Sequence, residues 1–316
     1  MGVGERVTDD VVRVDPARSR YWLSRRTSPV GDRDRSDEGR GRTALVTGAS
    51  AGIGLAYTEL LAAKGYDVVP VARRGERLER IANYLERTYG VAAQPLVADL
   101  GEEGAARGIA DELAERGTRI DYLVNNAGYS LMGRYGETPW EDQERFLRVI
   151  GTGVLELTHA LLPSMMEQRW GRIVNVTSVA GVMAGTPAMV LYSAGKSLVH
   201  KFTEGLAAEC EPYGVHCTVS LPGATDTEIF EASGTSNYAT THPGMQLAMM
   251  SPIAVARQAY RACERRKRMV VHGRHHKAWA FVLLHSPRSL RYRLCAFFAE
   301  IDLDRPNAAQ LQPAHR

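Results

Sequence analysis

A chain of 316 residues, 44% of them hydrophobic, carries enough apolar material for one large core or two small ones. Its 39 Lys and Arg nearly cancel its 36 Asp and Glu, and a net charge of +3 gives no argument for a nucleic-acid partner. The cysteines at 210, 217, 263 and 295 lack zinc or redox spacing, the N-terminus lacks a secretory pattern, and no apolar stretch approaches bilayer length; reduced thiols in a cytoplasmic chain are expected.

Residues 1–41 are dense in Arg, Asp, Gly and Ser, as in RRTSPVGDRDRSDEGRGR, and show no apolar period. Such a segment does not offset its ordering entropy, so a disordered, solvated arm is predicted. From Thr43 short β-branched runs alternate with segments of helical period. Strands are predicted at 43–47 (TALVT), 67–72 (DVVPVA), 93–98 (AQPLVA), 121–125 (DYLVN), 172–176 (RIVNV), 216–220 (HCTVS) and 269–272 (MVVH). Between them lie helical segments such as LAYTELLAAKG, closing at Gly65, and SLVHKFTEGLAAECEPYG, closing at Gly214, where glycine suits a left-handed cap. This alternation predicts one doubly wound α/β domain over 42–273: a parallel sheet of about seven strands with helices on both faces. A C-terminal extension, 274–316, follows it.

The first strand runs directly into LVTGASAGIG, which places Gly48, Gly52 and Gly54 at the start of the first helix. Glycines there let backbone approach a dinucleotide, and the helix start attracts its pyrophosphate. The second strand ends in VARR. Ala72 offers no carboxylate to a ribose hydroxyl, whereas Arg73 and Arg74 suit a 2'-phosphate, so NADP is expected over NAD. Further on, VLYSAGK sets Tyr192 and Lys196 four residues apart, on one side of a helix.

Taken in order, TGASAGIG, ADL with Asp99, NNAG at 125–128, NVTSVAG with Ser178, YSAGK and PGATDTE at 222–228 resemble the short-chain dehydrogenase/reductase family over roughly 43–273. The wording is most similar to a bacterial branch of ketoacyl and hydroxysteroid reductase relatives. The resemblance implies a Rossmann-like fold, a nicotinamide cofactor and reversible hydride transfer between an alcohol and a carbonyl. Reduction of a carbonyl leaves an oxyanion that needs a proton donor and a second hydrogen bond. Tyr192 is the expected acid/base; Lys196, one turn away, is expected to lower its pKa from about 10 by Coulomb attraction; Ser178 is expected to orient the substrate oxygen. The resemblance further implies cofactor contacts from Gly48, Ser50, Gly52, Ile53, Gly54, Arg73, Asp99, Asn126, Ala127, Gly128, Tyr192, Lys196, Pro222, Gly223 and Thr227. Among these, Asp99 would meet the adenine, NNAG would support the central strand and the ribose, and Thr227 would reach the carboxamide with the Pro222–Gly223 turn.

The chain departs from the family pattern at Ile150, where an asparagine usually supports a water chain from the lysine. Either backbone loosened by Gly151 and Gly153, or Thr152, carries the relay, or proton exchange is slow; the last keeps open an NADP-binding protein with little turnover. Residues 228–251 predict a substrate lid, and Met245, Met249 and Met250 with Met183 and Met189 either line an apolar pocket or fill core. The substrate expected is a small lipophilic ketone, steroid-like or ketoacyl compound, handled by a homo-oligomer without nucleic acid. The tail 277–301, broken by Pro287, predicts packing on its own domain or a partner subunit ahead of peripheral contact with a membrane.

Overall fold

Alternation along β1 (Thr43–Thr47) decides how the molecule is layered: Ala44 and Val46 face one core, while Leu45 between them faces the other. The computed structural model describes residues 30–131, 133–183, 185, 187, 189–227, 249–287 and 289–293. Seven parallel strands form a single sheet in the order β3-β2-β1-β4-β5-β6-β7, the others being β2 (Asp67–Ala72), β3 (Leu96–Val97), β4 (Tyr122–Asn125), β5 (Gly171–Val176), β6 (Val215–Leu221) and β7 (Met269–Val271). The helices are α1 (Gly52–Ala63), α2 (Gly75–Tyr89), α3 (Ala105–Glu115), α4 (Trp140–Leu147), α5 (Gly153–Glu167), α6 (Val190–Cys210), α7 (Pro252–Glu264) and α8 (Arg274–His285). α1, α2 and α7 cover one face; α3, α5 and α6 cover the other. The chain order reverses between β1 and β4, which opens a crevice at the carboxyl ends of these strands where ligands of such sheets bind.

The strands fall where the sequence places them, except that the third is a two-residue strand preceded by an isolated bridge, Val68 to Ala93. Gln94-Pro95 explains the shortening, since proline donates no ladder hydrogen bond.

Two expectations change. Residues 30–41, assigned to the disordered arm, pack on the domain: Asp34 pairs with Arg257 of α7, the Tyr260 hydroxyl donates to Glu38 at 2.7 Å, and the Ser36 N–H reaches the Ala63 carbonyl at 3.0 Å. The polarity that looked like solvation is used in specific pairs with α1 and α7. Residues 1–29 lie outside the described residues, as do 228–248 of the expected lid. Second, one continuous helical run, Trp140–Glu167, is 28 residues long and apolar enough to cross a bilayer, contrary to the sequence reading. It comprises α4, a π-helical turn at Arg148–Thr152 and α5, and Phe146, Ile150, Leu157 and Met165 on it are buried in the cores.

A buried polar ladder crosses the middle of the sheet. Asn125 Nδ2 donates to Asn175 Oδ1 at 2.8 Å and to Thr158 Oγ1 at 3.0 Å, and Asn175 Nδ2 donates to Thr203 Oγ1 at 2.8 Å. It ties β4 and β5 to α5 and α6, so the helix carrying Tyr192 and Lys196 is held in register with the central strands.

Candidate active site

α6 begins two residues before Tyr192, and its first turns bring Tyr192 and Lys196 to the end of β5, where Ser178 leaves the strand in extended conformation. Ser178 is within hydrogen-bonding reach of the Tyr192 phenol, and its Oγ also accepts from the Ala180 N–H at 3.2 Å. The phenol ring packs against Phe146 with centroids 6.4 Å apart. Lys196 is buried and donates from Nζ to the Val176 carbonyl at 3.0 Å; Nζ lies 5.9 Å from the Tyr192 ring centroid.

The electrostatics differ from the sequence expectation. Burial pushes the Tyr192 pKa above its ordinary value, only partly offset by the Ser178 hydrogen bond, and burial pulls Lys196 down from 10.5 to about 8. The ammonium spends its hydrogen bond on a carbonyl rather than on the phenol, so loss of hydration governs both groups. In the protein alone burial, not the neighbouring lysine, sets the direction of the Tyr192 shift.

At the other end of the crevice the glycine turn closes around Asn126. Gly54 sits against the Gly48 carbonyl and Asn126 Nδ2, and Nδ2 donates to the Thr47 carbonyl at 2.9 Å. Thr47 Oγ1 accepts from the N–H groups of Asn126 and Ala127, both at 3.0 Å. Gly52, which starts α1 at φ +52, faces Thr227: a Cβ there would stand 2.9 Å from the Thr227 methyl. The turn after β1 and the turn after β6 thus meet across the crevice, and only a residue without a side chain fits between them. Ile53, next to it, is half-buried on the helix start.

Ser50 accepts from Arg74 Nη2 at 2.9 Å and Nε at 3.2 Å. Arg74, rather than Arg73, turns back onto the glycine turn; Arg73 is 70% exposed and stands 3.7 Å from Asp99. Asp99 is further occupied by Arg145, and its Oδ1 accepts from the Gly101 N–H at 2.9 Å. An adenine would therefore meet a carboxylate already paired with two guanidiniums.

Ile150 lies in the π-helical turn and is 1% exposed. A Cβ on Gly195 would stand 2.5 Å from Ile150 Cδ1, so the isoleucine fills the notch that Gly195 leaves in α6. Gly128 approaches the same cluster: the position of an added Cβ is 3.6 Å from both Ile150 Cγ2 and Lys196 Nζ. Ile150 and Gly195 fit as a pair, which the sequence reading did not connect. Ile150→Asn removes that packing and buries an amide, so we expect denaturant unfolding to show a loss of about 1–3 kcal/mol.

The structure brings the glycine turn, Asn126, Ala127, Gly128, Ser178, Tyr192, Lys196, Pro222, Gly223 and Thr227 to one strand-end crevice. The methionines divide: Met250 packs on Gly273, Met183, Met189 and Met249 are half-buried, and Met245 lies outside the described residues. A small depression at the start of α6 is lined by Leu131, Tyr135, Thr138, Gln143, Val190 and Leu191, and Tyr192 is not part of its lining. Sequence reasoning missed Thr47, whose only signal was its place before Gly48, and it named both arginines of VARR but carried only Arg73 among the cofactor contacts, because which of two neighbours turns onto the glycine turn depends on the Arg74 backbone as it caps α2.

The chain belongs to the short chain dehydrogenase family, whose pattern matches residues 42–237. It is an oxidoreductase of the class that acts on CH–OH and C=O groups with a nicotinamide cofactor. It is 36% identical to the 3-oxoacyl-acyl-carrier-protein reductase of Aquifex aeolicus over 190 residues, 60% of this chain and 76% of that one. It is 34% identical to the 7beta-hydroxysteroid dehydrogenase of Collinsella aerofaciens over 187 residues, 59% of this chain and 70% of that one. A solved 7beta-hydroxysteroid dehydrogenase superposes with a TM-score of 0.73 at 26% identity, covering 83% of this chain and 99% of the other. A short-chain dehydrogenase from Sphingobium yanoikuyae in complex with NADPH superposes with a TM-score of 0.69 at 32% identity, covering 85% and 99%.

Proposed function

We propose that the protein is an NADP(H)-dependent oxidoreductase of a lipophilic carbonyl or alcohol. The observation that carries the reading is one crevice with Ser178, Tyr192 and Lys196 at one end and the Arg74–Ser50 pair at the other. The Gly52–Thr227 approach and the bare glycine turn fit a dinucleotide. The cofactor, when bound, supplies the hydride chemistry. Tyr192 gives its proton to the substrate oxygen in reduction and takes one back in oxidation. Ser178 hydrogen-bonds the same oxygen and holds it at the phenol. Lys196, fixed by the Val176 carbonyl, keeps two further N–H donors for the ribose hydroxyls. The ketoacyl and hydroxysteroid activities of the named relatives support a ketone, steroid-like or ketoacyl substrate.

Arg74 and Ser50 together suit the 2'-phosphate. A charge-assisted hydrogen bond of this kind contributes on the order of 1.5–3 kcal/mol, at least about tenfold in affinity. NADPH is therefore expected to bind the wild type at least about tenfold more tightly than NADH, and Arg74→Ala is expected to remove most of that preference, with Arg73→Ala removing less. Fluorescence titration of both cofactors tests this; equal affinities in the wild type sink the NADP assignment. A second reading, NADP binding with little turnover, is favoured only by Ile150, whose side chain offers no hydrogen bond beside Lys196. A panel of ketones, steroids and acyl thioesters followed by NADPH absorbance separates the two.

A further inference from the structure

The chain beyond β7 reaches back to the crevice through one side chain. Gly273 leaves the strand at φ +78 and caps α8, whose first turn brings the His276 imidazole onto the turn after β6. A Cβ added to Gly223 would lie 2.4 Å from Cδ2, and 2.5 Å from both Cγ and Nε2, of His276. Near-equal distances to three consecutive ring atoms mean that the face of the imidazole covers the glycine, since an in-plane approach to Cδ2 would leave Cγ and Nε2 much farther away. Nδ1 of the same ring lies 3.2 Å from the His272 carbonyl oxygen, which only accepts, so Nδ1 carries a proton and the ring orientation is fixed. His272 is itself buried, with Nε2 2.8 Å from Ser220 Oγ at the end of β6.

The covered turn is tied to both ends of the reaction centre. The Val179 N–H, adjacent to Ser178, donates to the Pro222 carbonyl at 3.0 Å. Four residues after Gly223, Thr227 meets Gly52, and between them Ala224 and Asp226 exchange backbone hydrogen bonds with Met250, both at 3.0 Å. A shift of Gly223 therefore moves Ser178 on one side and the Thr227–Gly52 contact on the other.

We propose that His276 is a positioning residue of the cofactor site: its ring face seats the Pro222–Gly223 turn, so that the helix following the dinucleotide fold sets cofactor affinity. The inference rests on the cofactor reading above. His276 acts through Gly223.

Gly223→Ala drives a methyl into the ring, and overpacking of this kind, relieved by moving the turn, is expected to weaken NADPH binding roughly tenfold. His276→Ala unseats the turn and is expected to weaken binding by about threefold to tenfold. In the double variant the methyl has room, so Gly223→Ala adds less than about twofold to His276→Ala. His276→Phe keeps a flat face and restores affinity to within about twofold of wild type, whereas His276→Asn, which keeps a donor for the His272 carbonyl but no face, does not. The readout is the NADPH Kd of the full chain by fluorescence titration, with the Tm of the cofactor-free protein measured alongside. A merely structural contact moves Tm and leaves Kd in place. Additive effects of the two substitutions on Kd, or an unchanged Kd in both, overturn the positioning role while the cofactor reading stands. Failure of the wild type to bind either NADPH or NADH overturns both.

Discussion

Tyr192→Phe is expected to lower turnover of any accepted carbonyl by at least about a hundredfold while NADPH binding stays within about twofold, because the substitution removes the proton donor and leaves the ring packed on Phe146. The pH dependence carries further information. Burial holds the Tyr192 pKa above its ordinary value, so the phenol is protonated through neutral pH. Reduction should then be flat across neutral pH and decline only on the alkaline side, while oxidation, which needs the phenolate, should rise with pH. Steady-state rates in both directions between pH 6 and about 10 check this. Retention of most activity by Tyr192→Phe would show that another group is the acid.

Lys196→Met should separate function from stability. It removes the donors assigned to the ribose, and hydrogen bonds to a charged group are worth about 1.5–3 kcal/mol, so NADPH binding should weaken at least about tenfold. Stability should move the other way. The folded-state pKa of Lys196 is about 8 against an ordinary 10.5, so between these values the unfolded chain binds more protons than the folded one, and wild-type stability rises with pH across that window. Below pH 8 the folded protein carries the full cost of a buried ammonium. Met removes that cost and loses the bond to the Val176 carbonyl, for a net gain at pH 7 on the order of 1–2 kcal/mol. Denaturant unfolding of both proteins at neutral and alkaline pH reads the difference, which should shrink as pH rises. A constant difference would mean that Lys196 is not held at a lowered pKa.

Chain order and strand positions were legible because they rest on local pattern: β-branched runs at period two, glycines at left-handed positions such as Gly65 and Gly214, and a glycine turn bound to follow a strand. The nearness of Tyr192 and Lys196 was legible for a related reason, since their four-residue helical spacing is local, whereas Ser178 entered only through the family resemblance. Residues 30–41 were misread because composition reports how polar a segment is, not which partners its charges meet 223 positions away, as Asp34 meets Arg257.

The sequence by itself determined the layered fold, through local periodicity, and the family, through short motifs that follow one another in a set order along the chain. Tertiary structure alone decided the rest. Which arginine of VARR faces the glycine turn depends on the start of α2; whether Ile150 is a gap or a fit depends on Gly195 in another helix; and His276 reaches Gly223 only because β7 ends beside β6. The direction of the Tyr192 and Lys196 pKa values belongs to this group as well. Proximity in sequence suggested attraction between the two, but loss of hydration acts on each group through every atom packed around it, and no local spacing encodes that sum.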